Sequence, residues 1–262
     1  MSRYKIEAFV IRATRMGESS RVVTFFSREF GKVKGVAKGI GQPKSKLGGK
    51  IELFNLIEGD YYKKETSELG IISSAHLLED FRSITSTPRK FGFASAWCEI
   101  LDKISHSEQP HPETFELTFD YFKALEKSEV TSSGPLFWSA LLRLLAIEGC
   151  APQVEACISC GNQPAPVTAG NPARLTVSVE RGGLICGDCI NPEEPTISIS
   201  HESWKILAAM TNDDFGQISK MTISPRAGQQ AADLIISFAS YHLGLPRNLK
   251  SFKFLENLGE VK

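Results

Sequence analysis

Two cysteine pairs, Cys157-Ile-Ser-Cys160 and Cys186-Gly-Asp-Cys189, stand about two dozen residues apart. Two residues between cysteines let both thiolates face one ion from a single tight turn. Two such turns complete the four-sulfur tetrahedron that zinc prefers. With every position taken by sulfur, no place remains for water or substrate, so the expected Zn2+ is structural and performs no chemistry. Two local disulfides or four buried thiols would use the same residues. Gly161 after the first pair and Gly187 inside the second favour metal-wrapping turns, which need freedom in φ. Cys98 and Cys150 fall in helical patterns and read as small buried hydrophobes. The whole set suits a reducing compartment.

The first 80 residues read as strands. Tyr4 to Ala13 alternates apolar and charged positions. Arg21 to Ser27 and Gly31 to Ala37 make a hairpin about Glu29-Phe30-Gly31. Lys50 to Tyr62 and Leu69 to His76 supply two further runs. Five short strands in this length predict a small closed barrel of the oligonucleotide-binding (OB) type. Between the third and fourth strands, residues 38–50 hold Lys38, Lys44, Lys46 and Lys50 beside Gly39, Gly41, Gly48, Gly49 and Pro43, a composition that predicts a mobile basic loop.

Beyond residue 80 the period becomes helical. Thr87-Pro88 opens one helix, Pro112 a second and Pro135 a third that ends at Gly149. Leu175 to Val179 is a short strand. Further helices are predicted over Glu202 to Met210, from Ser224-Pro225 with Tyr241 on its apolar stripe, and over Lys250 to Leu255. The expected fold is α+β and multidomain: a five-stranded OB-type barrel over 1–80, then a mainly helical domain over 81–262 with a zinc-ribbon-like insertion at about 150–195. No membrane-length apolar run is expected, and the chain opens on a strand pattern instead of an apolar signal segment, which points to the cytoplasm.

Net charge is zero, but residues 1–64 carry 14 Lys or Arg against six Asp or Glu, a surplus of eight balanced by the rest of the chain. Such asymmetry points to a polyanionic partner for the barrel. An enzyme is not expected. The chain has no Gly-x-x-x-x-Gly-Lys phosphate loop, its five histidines are scattered, and Asp213-Asp214 and Glu193-Glu194 lie in loop-like tracts without a partner. No small-molecule substrate follows from any motif.

The order of parts resembles the bacterial recombination mediator and DNA repair family RecO. The resemblance rests on Gly17-Glu18-Ser19-Ser20-Arg21 with Val22-Val23-Thr24, Ala37-Lys38-Gly39, Ser45-Lys46-Leu47, Glu52-Leu53-Phe54, Gly149, the four cysteines, Gly182-Gly183, and Leu249-Lys250-Ser251 with Phe254-Leu255. It departs at Ile40-Gly41-Gln42-Pro43, where the family carries a more basic stretch. The resemblance implies binding of single- and double-stranded DNA and annealing of complementary strands. It also implies help, together with RecR, in loading RecA on DNA coated by single-strand-binding protein. A nucleoid-associated place in the cytoplasm fits these roles.

On such a barrel the candidate phosphate contacts are Arg12, Arg15, Arg21, Lys34, Lys38, Lys44, Lys46 and Lys50, with Tyr4, Phe25, Phe26, Tyr61 and Tyr62 as candidate stacking residues. Family members also receive the acidic, apolar-ended tail of single-strand-binding protein, for which Arg143, Lys250 and Lys253 are candidate rim charges. A zinc-ribbon RNA-binding or ribosome-associated adaptor is the alternative, because a basic barrel by itself does not separate DNA from RNA.

Overall fold

Alternation of apolar and polar residues builds β1 (Ser2–Met16), β2 (Ser20–Ser27), β3 (Gly31–Ala37), β4 (Leu56–Lys63) and β5 (Leu69–Glu79). The computed structural model describes residues 2–42, 45–64, 66–163 and 175–259. The strands close into a barrel of order β1-β2-β3-β5-β4, with β3 and β5 parallel and the other pairs antiparallel. This is the connectivity of an OB-fold, as expected.

One long strand serves two neighbours. The first half of β1 pairs with β4 and the second half with β2, and a bulge between Val10 and Arg12 marks the handover. The extra residue shifts the inward phase from Ile6, Ala8 and Val10 to Ala13. Arg12 thereby falls on the outer face.

Inside the barrel Ile6, Val10, Val23, Phe25, Val33, Ile57, Tyr61 and Ile72 are buried. The segment after β3 joins them, because Ile40, Leu47 and Ile51 lie in the same core. The expectation of a mobile loop is therefore corrected for the described residues. The segment is a plug tied by turns, with Gln42 N–H donating to the Gly39 carbonyl (3.1 Å), Ser45 N–H to Gln42 (3.0 Å) and Ile51 N–H to Leu47 (3.3 Å). Gly39 (φ +66°) and Gly49 (φ +70°) make those turns possible. The run expected from Lys50 also begins later, since 51–54 turn before β4 starts at Leu56.

The outer face of the barrel is apolar too. Phe9 and Phe26 point outward onto Phe115 (centroids 5.0 and 6.1 Å), which belongs to α3 (Pro112–Lys127). With α1 (Arg82–Ser86), α2 (Pro88–Ile104) and α8 (Lys250–Asn257), this helix completes one compact unit, residues 1–127 with 249–262. Pro88 stands at the first turn of α2 as predicted, but Thr87 makes no side-chain cap. α8 lies on α2 at Gly92, where an added Cβ would stand 2.4 Å from Leu255, and Glu99 of α2 accepts from the Lys250 and Ser251 amides (3.2 and 3.1 Å).

The second unit, residues 128–248, is described by itself. A 3-10 turn (Val130–Ser132) leads into α4 (Ser133–Ile147), whose Leu136, Phe137, Ala140, Leu141, Leu144 and Leu145 are fully buried. The 18 residues Val130–Ile147 are long and apolar enough to cross a membrane by length and composition, which corrects the expectation that no such run exists. Their packing identifies a core helix, surrounded by α5 (His201–Asn212), α6 (Phe215–Ile218) and α7 (Pro225–His242). Ser139 hydroxyl donates to the Met210 carbonyl of α5 at 2.8 Å. Ser224 caps α7 with Pro225 behind it, as predicted, whereas Tyr241 is 57% exposed and lies off the apolar stripe. A small sheet of order β7-β6-β8 joins β6 (Leu175–Ser178), β7 (Gly183–Ile185) and β8 (Ile197–Ile199).

Candidate metal centre and nucleic-acid interface

The two cysteine pairs converge beside that small sheet. The first knuckle is anchored to β7 through Ile158 N–H to the Leu184 carbonyl (2.9 Å) and the paired bonds of Gln153 with Gly182 and Leu184 (2.9 Å each). Gly183 permits this approach, since a Cβ there would meet the Gln153 carbonyl at 2.5 Å. The second knuckle follows β7 directly. Each pair is wound by its own turn: Gly161 N–H donates to the Cys157 carbonyl (2.9 Å), and Cys189 N–H to that of Cys186 (3.0 Å). Gly161 has φ +75° as the sequence suggests, but Gly187 does not lie at positive φ, so its role as a conformational requirement is withdrawn.

All four sulfurs lie within 4.8 Å of one another, and no disulfide joins any cysteine. Sγ of Cys160 and Sγ of Cys186 stand 3.6 Å apart, against about 3.8 Å for the edge of a tetrahedron with metal–sulfur bonds of about 2.3 Å. Cys157 Sγ accepts the Cys186 amide at 3.3 Å, and backbone hydrogen bonds, that one foremost, hold its thiol down at about 5. Hydrogen bonding with Cys186 and then Cys160 pushes Cys189 up to about 12. Thiolates at this spacing repel one another, and only a cation lets all four ionise together. The donor set thus fits one metal ion. Arg181 braces the site, donating to Ser159 Oγ of the first knuckle (2.6 Å) and pairing with Glu194 beyond the second (3.4 Å). Cys98 is buried and Cys150 half-buried, and burial raises both thiols.

On the barrel, Glu7, Glu52, Glu58 and Asp60 each take a neighbouring cation: Arg28, Arg21, Lys5 and Arg3 respectively, at 2.8–3.2 Å. Arg12 turns to Asp102 of α2 at 3.5 Å. Lys50 donates to the Lys46 carbonyl (2.8 Å). Arg15, Lys34, Lys38 and Lys46 are exposed and make no ion pair among the described residues, while Lys44 lies outside them. The register brings several together. Arg15 stands opposite Arg21 and Arg21 opposite Ala37, next to Lys38. Arg12, Thr24 and Lys34 form a row across three strands. Gly41 N–H ties the plug to the β1–β2 turn at Ser19 (3.2 Å).

The stacking candidates fare differently. Phe25, Phe26 and Tyr61 are buried, because a five-stranded barrel fills its centre and its helix-covered face with large side chains. Tyr61 also donates to the Lys34 carbonyl at 2.9 Å and roofs Gly70, where a Cβ would meet its ring at 2.4 Å. Tyr4, 38% exposed, packs edge-on to Phe30, and Tyr62 is half-buried.

Arg143, on α4 in the second unit, lies over the Phe215 ring (4.3 Å) and donates to the Asp213 carbonyl. Lys250 and Lys253 are exposed on α8 in the first unit. Sequence reasoning passed over Lys32 and Lys63, whose side chains are only 16% and 18% exposed and which pair with Asp102 and Glu108. Strand parity held the signal for Lys32, which shares the outward phase of Lys34.

A closed OB barrel, a helical region and a four-cysteine knuckle define an OB-fold protein with a cysteine-built metal module. Both parts match one family along the chain, over residues 1–81 (recombination protein O, N terminal) and 85–251 (recombination protein O, C terminal). The chain belongs to the recombination protein O family. It is 29% identical over 265 residues to the DNA repair protein RecO of Anaeromyxobacter sp. (strain K), covering 100% of this chain and 99% of that one. It is 26% identical over 261 residues to the RecO protein of Pelotomaculum thermopropionicum (100% and 96% covered). With that of Bacillus pumilus the identity is 24% over 258 residues (98% and 95% covered).

Proposed function

We propose that the chain is a DNA repair and recombination mediator. It binds single- and double-stranded DNA without sequence preference, anneals complementary strands and, with RecR, helps RecA load on DNA coated by single-strand-binding protein. Family membership supports the role. The observation that carries the chemistry is the set of exposed cations Arg15, Lys34, Lys38 and Lys46 on an OB barrel whose neighbouring carboxylates are mostly engaged elsewhere. Arg12, Arg21 and Lys50 extend this surface, and Lys44, outside the described residues, is a candidate on sequence alone. Cations without internal partners neutralise phosphates and release counterions, and two strands held on one such surface lose their mutual repulsion. Nothing in this scheme requires a catalysed reaction. The place of action is the cytoplasm, at the nucleoid. The metal is Zn2+ in a structural role, since four thiolates in a closed tetrahedron leave no open position.

With about five phosphates neutralised, the log–log salt slope for single strands is expected near about −3.5. Changing Arg15, Lys34, Lys38 and Lys46 together to Gln is expected to flatten it to about −0.7, to weaken binding roughly 100-fold or more at low salt, and to abolish annealing. Anisotropy titrations of a labelled oligonucleotide across a salt series check this. An unchanged slope and affinity would sink the electrostatic surface. Stronger capture of RNA than of DNA of equal length would move the assignment to the adaptor class.

The tail of single-strand-binding protein has a fitting cleft in the first unit. A space of about 360 Å³ is lined by Ile11, Leu53 and Phe54, with Arg12, Lys103 and Lys250 about it. Its two carboxylates are engaged, Asp102 by Arg12 and Lys32, and Glu99 at the start of α8. Lys253 on the same helix is a further candidate rim charge in this unit, whereas Arg143, on α4 of the second unit, is not assigned to this cleft. A pull-down with the acidic tail peptide is expected to succeed, and to fail when its terminal apolar residue is removed. Equal capture of both peptides would refute the cleft.

A further inference from the structure

The connector between α2 and α3, residues 105–111, lies on the barrel at the start of β3. Ser107 bridges Gly31 and Lys32, and Glu108 N–H donates to the Lys32 carbonyl at 3.3 Å. Gly31 makes room for it, since a Cβ there would stand 1.8 Å from the Gln109 carbonyl. Glu108 is held at φ +64°, a left-handed backbone that Glu rarely adopts. Its carboxylate pairs with Lys63. Beside this pair is a cleft of about 140 Å³ whose lining includes Lys32, Lys34, Lys63 and Tyr61. Glu68 also faces the cleft and makes no ion pair among the described residues. Lys32 is shared with Asp102 of α2 at 3.5 Å.

Three lysines thus meet at one end of the barrel, and the acid paired with Lys63 arrives on a strap in a strained conformation. Residues held in sparsely populated backbone regions cost free energy and cluster at ligand clamps and switch segments. A phosphodiester stays fully ionised at neutral pH and takes lysine as a partner as readily as a carboxylate does. We propose that residues 105–111 form an inhibitory strap. Its Glu108 carboxylate occupies the place of a backbone phosphate at Lys63, Lys32 and Lys34, and a single-stranded nucleic acid displaces it. The inference rests on the nucleic-acid reading of the barrel and adds both a phosphate position and the group that guards it.

The test uses the full chain and a labelled oligothymidylate, titrated across a salt series with five proteins: unaltered, Glu108→Gln, Lys63→Gln, the double variant and Glu108→Gly. Glu108→Gln is expected to bind about three- to tenfold more tightly at low salt, with a slope steeper by about 0.7, the contribution of one added phosphate contact. In the Lys63→Gln background the same change is expected to give no gain. Glu108→Gly keeps the left-handed backbone while deleting the carboxylate and is expected to reproduce the gain, which separates charge from misfolding of the strap. Equal tightening with and without Lys63 would reduce the effect to long-range charge and overturn the strap. No tightening, while the unaltered chain binds in a salt-dependent way, would overturn the strap and leave the barrel reading intact. No binding by any of the proteins would remove the barrel reading and the strap with it.

Discussion

Replacing Cys157 by Ser, or stripping the metal with a chelator, is expected to unfold the two knuckles together with β6, β7 and β8, and to release one metal ion per chain. The reason is size. β6, β7 and β8 have four, three and three residues, too few for a sheet to stand alone in water. The apolar residues buried around them are few, chiefly Val154, Val177, Leu184, Ile185 and Ile199. In such a module the metal replaces a core, and binding of structural zinc is worth on the order of 10 kcal/mol or more at neutral pH. Cys157 is the most consequential of the four, because it is buried and also accepts the Cys186 amide. The checks are metal content, protease cleavage within the region and melting of the chain. Trp204, whose indole donates to the Val154 carbonyl, adds a fluorescence signal from the module's edge. Cys98→Ser serves as the control and should keep its metal. A metal-free protein with unchanged melting and unchanged protease resistance would exclude the structural role.

Truncating Phe122 to Ala is expected to lower the stability of the first unit by about 3–5 kcal/mol. Phe122 is fully buried on α3 and meets four other rings: Phe9 of β1 (5.5 Å), Phe54 before β4 (5.8 Å), Phe81 ahead of α1 (5.5 Å) and Tyr121 (5.6 Å). The pairs with Phe9, Phe54 and Phe81 are edge-on, an arrangement that adds to the energy of burial. The hole would open where strand, plug and two helical segments join, and none can close it without giving up its own contacts. Phe54 is fixed further by φ +72°, so the backbone there has little room to relax. Denaturant unfolding measures the loss. Phe119→Ala, on the half-buried side of the same helix, should cost much less. Near-equal losses for the two would show that the ring cluster is not the junction described.

The metal knuckle was legible because its geometry is set by covalent spacing within each pair. The strands were legible from alternation, including the hairpin about Phe30. The bulge at Val10–Arg12 was not, because the extra residue that flips the inward phase leaves no mark in composition. The plug is not legible in composition, because lysines and glycines conceal two apolar residues, Ile40 and Leu47, that turn into the barrel. β7 and β8 are not legible, because three residues carry no readable period. For the candidate phosphate contacts, sequence names the charges but not the partners that already hold some of them. Arg12 and Arg21 turn out to have carboxylate partners that lie 90 and 31 residues away in the chain. The Lys63–Glu108 pair joins a strand end to a helix connector, and nothing local to either residue announces the other.

The packing of α8 against Gly92 has a consequence for biogenesis. The helix that covers this slot on α2 is made only after residues 128–248 have been synthesised. Until Leu255 has left the ribosome, the side of α2 at Gly92 has no helix to cover it. Cutting the chain back before Lys250 would freeze the protein in that half-finished form, with a greasy seam open to chaperones and to other nascent copies.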